Sequence, residues 1–519
     1  MQAYYALGAV AAILGYIIWG RISFWLRKRK FRQLHGTKEP NFLPTSLPFG
    51  VDYLTSLLKQ IKQQNMPEFV RANFEENGHT FALKVLGATS ISTREPLNIQ
   101  AFLATKFKDY AIAPAKNGPF FPLLGNGIFV IDNHGWEYSR ALLRPQFARN
   151  QITQLENLEE HFQILTDCIA DGNAAATELQ ELFFEMTIDS ATHFLFGESC
   201  HTLKHRRSVL QGIIEKEKPR GAAFAEAFNL SQTHMFTRFF LKEFHNWHNP
   251  QEFKDATKIC HEFIDKFVND AVELAKKGGA PDEKSKKYIF LQTIAKDTQD
   301  PIILRDAVMN LLLAGRDTTG SLLGWAFYLL VRYPDVQEKL RRAIIDDFGA
   351  EYDPERITFE SLKNCKYLRR VLDETLRLYP TVPINMRTAI RDTFLPLGGG
   401  PDQKSPIFIP KGTSVEYSVY AMHRRADIYG DDANWFRPER WEDRPKTEAF
   451  GWEYLPFNGG PRVCLGQQFA LTEAGYTIVR MFQHYKRFEN GDMDPFIKCY
   501  STLTTCVGGK GVLVRCYKD

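Results

Sequence analysis

Phe457-Asn458-Gly459-Gly460-Pro461-Arg462-Val463-Cys464-Leu465-Gly466, followed by the helical pattern of Gln467 to Phe482, is the stretch on which the reading turns. A glycine-rich turn brings one cysteine to the start of a helix, where free backbone N–H groups and the positive end of the macrodipole favour a thiolate. A thiolate is the form in which cysteine binds a metal. The glycines let the backbone come close to a flat ligand, and Arg462 can pair with a carboxylate on that ligand's edge. The competing reading is a structural cysteine in a turn, which leaves the fixed offsets of Phe457, Arg462 and Gly466 around Cys464 unexplained.

Working outward, the longest apolar helix pattern runs from Pro301 to about Arg332, stopped by Tyr333 and Pro334. It is apolar nearly all round, and Arg305, Asp306, Arg316 and Asp317 within it favour a protein core over a membrane. At its middle lies Ala314-Gly315-Arg316-Asp317-Thr318-Thr319. Small residues open room there, and the Thr318 hydroxyl can bond back to the carbonyl of Ala314, loosening the helix where a small ligand needs space. Adjacent helical residues do not face each other, so Arg316 is not expected to pair with Asp317, which should look to water or a distant residue. Glu374 and Arg377 share one helix face at i,i+3. Trp136 and Arg140, four apart on a helix expected from near His134, aim two donor-only groups in one direction, and their target should be anionic.

Composition excludes several classes. Lys plus Arg number 65 against 61 Asp plus Glu, so no net field draws the chain to nucleic acid. Eight cysteines without a CxxC, spread along 519 residues, read as mostly reduced thiols of a cytosol-facing protein rather than a disulfide framework. The 40 Phe and 20 Tyr suit a large core or an apolar cavity equally. His201 with His205 and His245 with His248 have metal-ligand spacing, but in polar stretches with no fourth ligand they read as surface histidines. At the N-terminus Tyr4 to Gly20 is uncharged and apolar, and Ile22, Phe24, Trp25 and Leu26 carry it past Arg21. That approaches the ~20 residues of a membrane-spanning helix. The basic cluster Arg27 to Arg32 follows it, which predicts an uncleaved anchor with the remainder in the cytosol. Residues 1–26 are read as anchor, 27–50 as a basic stop-transfer segment and proline-rich hinge, and 51–519 as the catalytic domain. Strands are expected at Thr80 to Val85, Ser90 to Thr93, within Arg391 to Ser418 and within Tyr500 to Tyr517, and a helix over Ile152 to Ile169.

The cysteine stretch resembles the haem-binding loop of the cytochromes P450, and the family's other fixed features stand in order. Glu374-Thr375-Leu376-Arg377 is similar to its ExxR, and Phe436 to Trp441 to the segment supplying the third partner, Arg440. The resemblance covers nearly the whole chain. It implies a mainly α fold with a smaller β region and non-covalent haem b with Cys464 as iron ligand. The haem contacts it implies are Phe457, Gly466 and the propionate donors Trp136, Arg140, Arg387 and Arg462. Glu374, Arg377 and Arg440 become a structural scaffold, and Asp317 and Thr318 relay protons toward oxygen. Leu313, Ala314, Val382 and Ile384 line the substrate pocket by family position. Because the animal fatty-acid hydroxylases often carry a haem-esterifying Glu where this chain has Ala314, no covalent haem link is expected.

Segments Pro122 to Phe129, Ser139 to Arg149 and Tyr454 to Leu471 are closest to the fungal alkane-inducible and fatty-acid-hydroxylating microsomal P450s. That likeness implies hydroxylation of fatty acids or n-alkanes, with a hydrophobic small-molecule substrate and electrons from NADPH-cytochrome P450 reductase. It also implies cytochrome b5 as a second donor and a single-pass location in the endoplasmic reticulum membrane with the catalytic domain cytosolic. A tailoring hydroxylase of a fungal terpenoid or polyketide pathway is the rival within the same chemistry. A haem sensor or electron carrier, and a P450-fold isomerase or dehydratase, are the rivals outside it. NADPH-dependent product formation separates these. Residues Arg206 to Asn246, where the family keeps its substrate-roof helices, are the least recognisable.

Overall fold

The computed structural model describes residues 2–147, 155–213, 218–277, 289–443 and 451–518. The fold is mainly helical with a smaller β region, as expected. Its axis is the helix Pro301–Leu330, whose Asp300 side chain accepts from the N–H groups of Ile302 and Ile303 while Pro301 occupies the first turn. Such a start uses donors that no helical carbonyl can reach. From Ser321 to Leu330 every residue of this helix is buried, so the apolar pattern belongs to a protein core. It packs on the helix Leu179–Phe196, and Gly320 makes the approach close, since a side chain there would meet Phe184 and Thr187. Trp325 stacks on Tyr379 at 3.8 Å, joining the axis to the end of the helix Lys366–Leu378.

The largest sheet has six strands in the order Asn41–Phe42, Thr80–Val85, Ala88–Thr93, Ser414–Ser418, Ile384–Ala389 and Tyr110–Ala111. Thr80–Val85 and Ala88–Thr93 form a hairpin, Ala88–Thr93 runs parallel to Ser414–Ser418, and Ser414–Ser418 antiparallel to Ile384–Ala389. Smaller sheets pair Thr393–Gly399 with Ser405–Ile409, Cys499–Ser501 with Thr505–Val507, and Leu513–Tyr517 with Arg487–Asn490 and Thr177–Glu178. The expected helix over Ile152 to Ile169 is described as Leu155–Asp167, its first turn lying outside the described residues.

The N-terminal segment departs from the sequence reading. One helix, Gln2–His35, continues unbroken through the basic cluster, because Arg and Lys are good helix formers; it stops at Gly36, whose φ is +67°. Its C-terminal part rests on the hairpin Thr393 to Ile409. Arg27 pairs with Asp392 at 2.9 Å, the Phe31 ring lies 4.7 Å from Phe408, and His35 stacks on Phe394 at 4.3 Å. Lys38 bridges to Ile407, Pro40 to Gly399, and Asn41–Phe42 pairs with Phe81 and Ala82. Within residues 27–50, expected as a basic stop-transfer segment and proline-rich hinge, Lys38 to Phe42 are tied to the body by sheet pairing. The backbone groups between the prolines found strand edges to satisfy them. By length and composition, the part of the helix from Tyr4 to His35 could cross a membrane.

Candidate active site

The cysteine loop is held by its own backbone. Cys464 N–H donates to the Phe457 carbonyl at 3.0 Å and Val463 N–H to Gly460 at 3.1 Å. Asn458 sits at φ +62°, anchored by Tyr417 Oη at 3.0 Å and by its own donation to the Arg462 carbonyl. Gly460, at φ +66°, packs so tightly on the Leu103 carbonyl that a Cβ would clash with it. Cys464 alone of the eight cysteines is exposed; six are buried and Cys506 is intermediate. Cys464 is accessible although protein atoms crowd around it. Burial pushes its thiol up, while the Gly466 N–H and Arg140 pull it down. The helix start alone thus does not secure the thiolate, and a coordinated cation would, because a metal deprotonates a bound thiol.

Four cations converge beside the loop. Arg462 donates to Asp132 at 2.7 Å and to the Ile131 carbonyl at 3.0 Å, and stands 4.4 Å over the Trp136 ring. Arg387, buried on the strand Ile384–Ala389, donates to its neighbour Met386 at 2.7 Å. Arg140 also stands over the Trp136 ring, 5.7 Å from its centroid, and both terminal nitrogens donate to the Val463 carbonyl at 3.1 Å. Its tie is to the cysteine loop, although a guanidinium keeps further donors. The fourth cation, Lys116, was not singled out from the sequence. Burial, then Arg387 and Arg462, lower its ammonium to about 7, with Asp132 opposing. Burial likewise brings Arg462 down to about 10, Asp132 opposing and Arg387 and Arg140 adding to the fall. A buried cluster this rich in positive charge calls for an anion, and the two propionates of haem fit it. A lone lysine in the apolar run Ala113–Leu124 was the available signal.

The scaffold behind the loop is closed. Arg377 and Glu374 are fully buried and form two parallel bonds of 2.8 Å; Arg440 donates to Glu374 at 3.3 Å, and Trp441 Nε1 donates to the same carboxylate at 3.1 Å. The remaining Arg377 donors meet the carbonyls of His423, Ala433 and Trp435. Pairing and hydrogen bonding together are what let such charges be buried. His423, another residue that sequence reasoning passed over, carries the link onward. Its Nδ1 lies 3.1 Å from the Arg377 carbonyl and its Nε2 accepts from Leu455 N–H at 3.0 Å, two residues before the cysteine loop. Those partners fix the neutral tautomer with the proton on Nδ1.

On the axial helix, Thr318 Oγ1 donates to the Ala314 carbonyl at 2.7 Å. The expectation for Asp317 is corrected. Arg316 Nη1 donates to Asp317 Oδ1 at 2.8 Å and also to Asn229 Oδ1 on the helix Arg220–Leu241. Both side chains are buried, and the long arginine stem curls back because leaving either charge unpaired would cost several kcal/mol. Burial still raises the Asp317 carboxyl, with Arg316 and Gln232 opposing. Glu473, unforeseen on the helix Gln467–His484, is buried near Ser190 and Thr319 and pushed up to about 7 by that burial. In this mostly buried helix Leu311, Leu313, Ala314, Gly315 and Thr318 keep accessible surface, as do Val382 and Ile384. Leu311 and Leu313 also pack against the neighbouring core, and Ile384 against Val70, Phe74, Phe81 and Ala421, so the half-buried set is chiefly apolar.

Such an arrangement defines a protein with a cysteine loop beside a buried cationic cradle suited to an anionic prosthetic group. A family model described as Cytochrome P450 matches residues 46–505. A cytochrome P450 monooxygenase of a Fusarium species is 44% identical over 99% of this chain and 91% of its own length. Cytochrome P450 52A12 of Debaryomyces hansenii is 45% identical, covering 88% of each chain, and cytochrome P450 52A3-A of Candida maltosa 45%, covering 91% and 90%. The crystal structure of the cytochrome P450DA heme domain superposes with a TM-score of 0.72 at 20% identity, over 93% of this chain and 98% of that one, and shows the shared fold. The chain belongs to the cytochrome P450 family, and is a haem-thiolate monooxygenase by that membership.

Proposed function

We propose that the protein hydroxylates the hydrocarbon chain of fatty acids or n-alkanes, with non-covalent haem b held by Cys464 and the propionate cradle. The observation that carries the substrate reading is the set of apolar side chains Leu311, Leu313, Val382 and Ile384, which stay partly accessible beside a mostly buried helix. Each methylene it buries contributes about 0.8 kcal/mol without fixing register, which suits a flexible chain. The yeast relatives of the 52A group support it. When bound, haem supplies the activation of molecular oxygen; the chain's own residues position, exclude and deliver protons. Cys464 and the loop Phe457 to Gly466 hold the iron side, and Trp136, Arg140, Arg387, Arg462 and Lys116 hold the propionate edge. Asp317 and Thr318 move protons to the oxygen side, Thr318 by exchanging its bond to the Ala314 carbonyl for one to water. Electrons come from NADPH through a diflavin reductase, with cytochrome b5 as a second donor, docking on the cysteine side near Arg140 and Arg144. The helix from Gln2 anchors the protein in the endoplasmic reticulum membrane, leaving the catalytic body cytosolic.

A second reading, a tailoring hydroxylase of a terpenoid or polyketide, is supported by the Fusarium relative. One screen separates the two: titrate the ferric haem spectrum with fatty acids, alkanes, terpenoids and polyketides, then assay turnover with purified reductase. Spin-state shifts and hydroxylated products with the chain compounds are expected. Turnover of a polycyclic compound alone would transfer the assignment to the second reading.

A further inference from the structure

Glu416 stands apart from every ion pair described above. It lies on the strand Ser414–Ser418, side by side with Ser92 on one neighbouring strand and Met386 on the other. Its sequence neighbours Val415 and Tyr417 turn into the core, whereas Glu416 turns to the opposite face and keeps accessible surface. Ile384, on the same face of its strand as Met386, marks the next row, paired with Ser418. Two strand residues separate the rows by about 7 Å, so Glu416 stands one row beyond Ile384 on the same face of the sheet. Tyr53 on the helix Val51–Lys62 and Lys242, just after Arg220–Leu241, are both near enough to Glu416 to act on it electrostatically. Among the described residues none donates a hydrogen bond to its carboxylate and none pairs with it within salt-bridge distance. Burial holds this carboxyl above the usual range, with Lys242 the one charge opposing.

A half-buried carboxyl with no donor of its own, facing accessible space, lacks what a ligand could bring: an O–H or N–H. A second carboxylate is the worst partner it could meet. Two acids in a low-dielectric passage cannot both ionise, so one must take up a proton or the pair repels. We propose that Glu416 is a specificity-determining residue for this enzyme, accepting a hydrogen bond from the hydroxyl at the trailing end of a long-chain alcohol and discriminating against the matching carboxylate. The inference rests on the chain-substrate reading and sharpens it: alkanes and their primary alcohols pass, while free acids bind only as far as Lys242 compensates.

The test uses the full-length, haem-loaded protein and its ferric spin-state shift, titrated with dodecan-1-ol and with dodecanoate at one pH. In Glu416→Gln, which keeps an acceptor and removes the charge, dodecanoate should bind ~10-fold tighter, about 1.4 kcal/mol, while dodecan-1-ol changes less than ~3-fold. Lys242 is exposed, so Lys242→Gln should fold whatever becomes of the first variant, and should weaken dodecanoate against dodecan-1-ol by at least ~3-fold. An unchanged ratio of the two affinities in the folded variants overturns the proposal while leaving the chain reading intact. If wild type and variants bind neither compound, the chain reading itself fails, and the role of Glu416 with it.

Discussion

His423 is the buried link between the Glu374–Arg377 pair and the segment that enters the cysteine loop, and its removal should be costly in a pH-dependent way. In His423→Leu the Arg377 carbonyl and the Leu455 N–H each lose their partner. A buried group left unsatisfied costs about 1–3 kcal/mol, so the pair should cost about 2–5 kcal/mol at pH 7, allowing for partial relaxation. Burial, then the Arg377 guanidinium, bring the imidazole down from 6.5 to about 3. The folded value lies below the unfolded one, so the unfolded chain binds the extra proton. The stabilisation is complete above pH 6.5 and is lost as pH falls toward 3. By pH 4.5 it has shrunk by ~2.7 kcal/mol, at 1.36 kcal/mol per unit. The leucine variant has no such proton to bind, so the stability gap between wild type and variant should narrow by that amount between pH 7 and 4.5. Urea unfolding of the haem-loaded proteins at both pH values, followed by tryptophan fluorescence and the Soret band, measures the gap. A gap that stays constant to within ~0.5 kcal/mol, or a variant as stable as wild type at pH 7, would refute the linkage.

Cys464→Ser should abolish the strongly red-shifted carbon monoxide band of the reduced protein, and a retained band would sink the ligand assignment. Thr318→Ala should keep haem and substrate binding but divert NADPH electrons into peroxide, raising peroxide per NADPH several-fold; unchanged coupling would deny Thr318 its relay role. Lys116→Met removes one cation from the propionate cradle and should speed haem transfer to apomyoglobin by ~10-fold, the worth of one charge-assisted hydrogen bond. A transfer rate within ~2-fold of wild type would show that Lys116 does not touch the propionates. Deleting residues 1–32 should leave a haem-loaded protein; because Phe31 and Arg27 also brace the hairpin Thr393 to Ile409, the midpoint should fall by about 1–2 °C. Loss of haem incorporation on truncation would mean that the helix end is essential to the body.

Local rules sufficed wherever the chemistry is written in neighbouring residues. The turn Phe457 to Gly466 ahead of its helix, the i,i+3 pair Glu374 and Arg377, and the back-bond of Thr318 to Ala314 all depend on spacing within one element. They were therefore legible, along with the apolar axis Pro301–Leu330 and the fold class. Tertiary structure decided what depends on which distant groups are buried together. Arg316 turned back on Asp317 because both are shut in by the helix Arg220–Leu241, a closeness that helical spacing argues against. Lys116 joined the cradle because the sheet and the cysteine loop bring Arg387 and Arg462 beside it. His423 became a link through contacts reaching 46 residues back and 32 forward. Residues 38–42 left their hinge for strand edges supplied by segments far along the chain. Spacing specifies the directions of side chains within an element, whereas the low dielectric of the assembled interior determines which charges and donors must find one another.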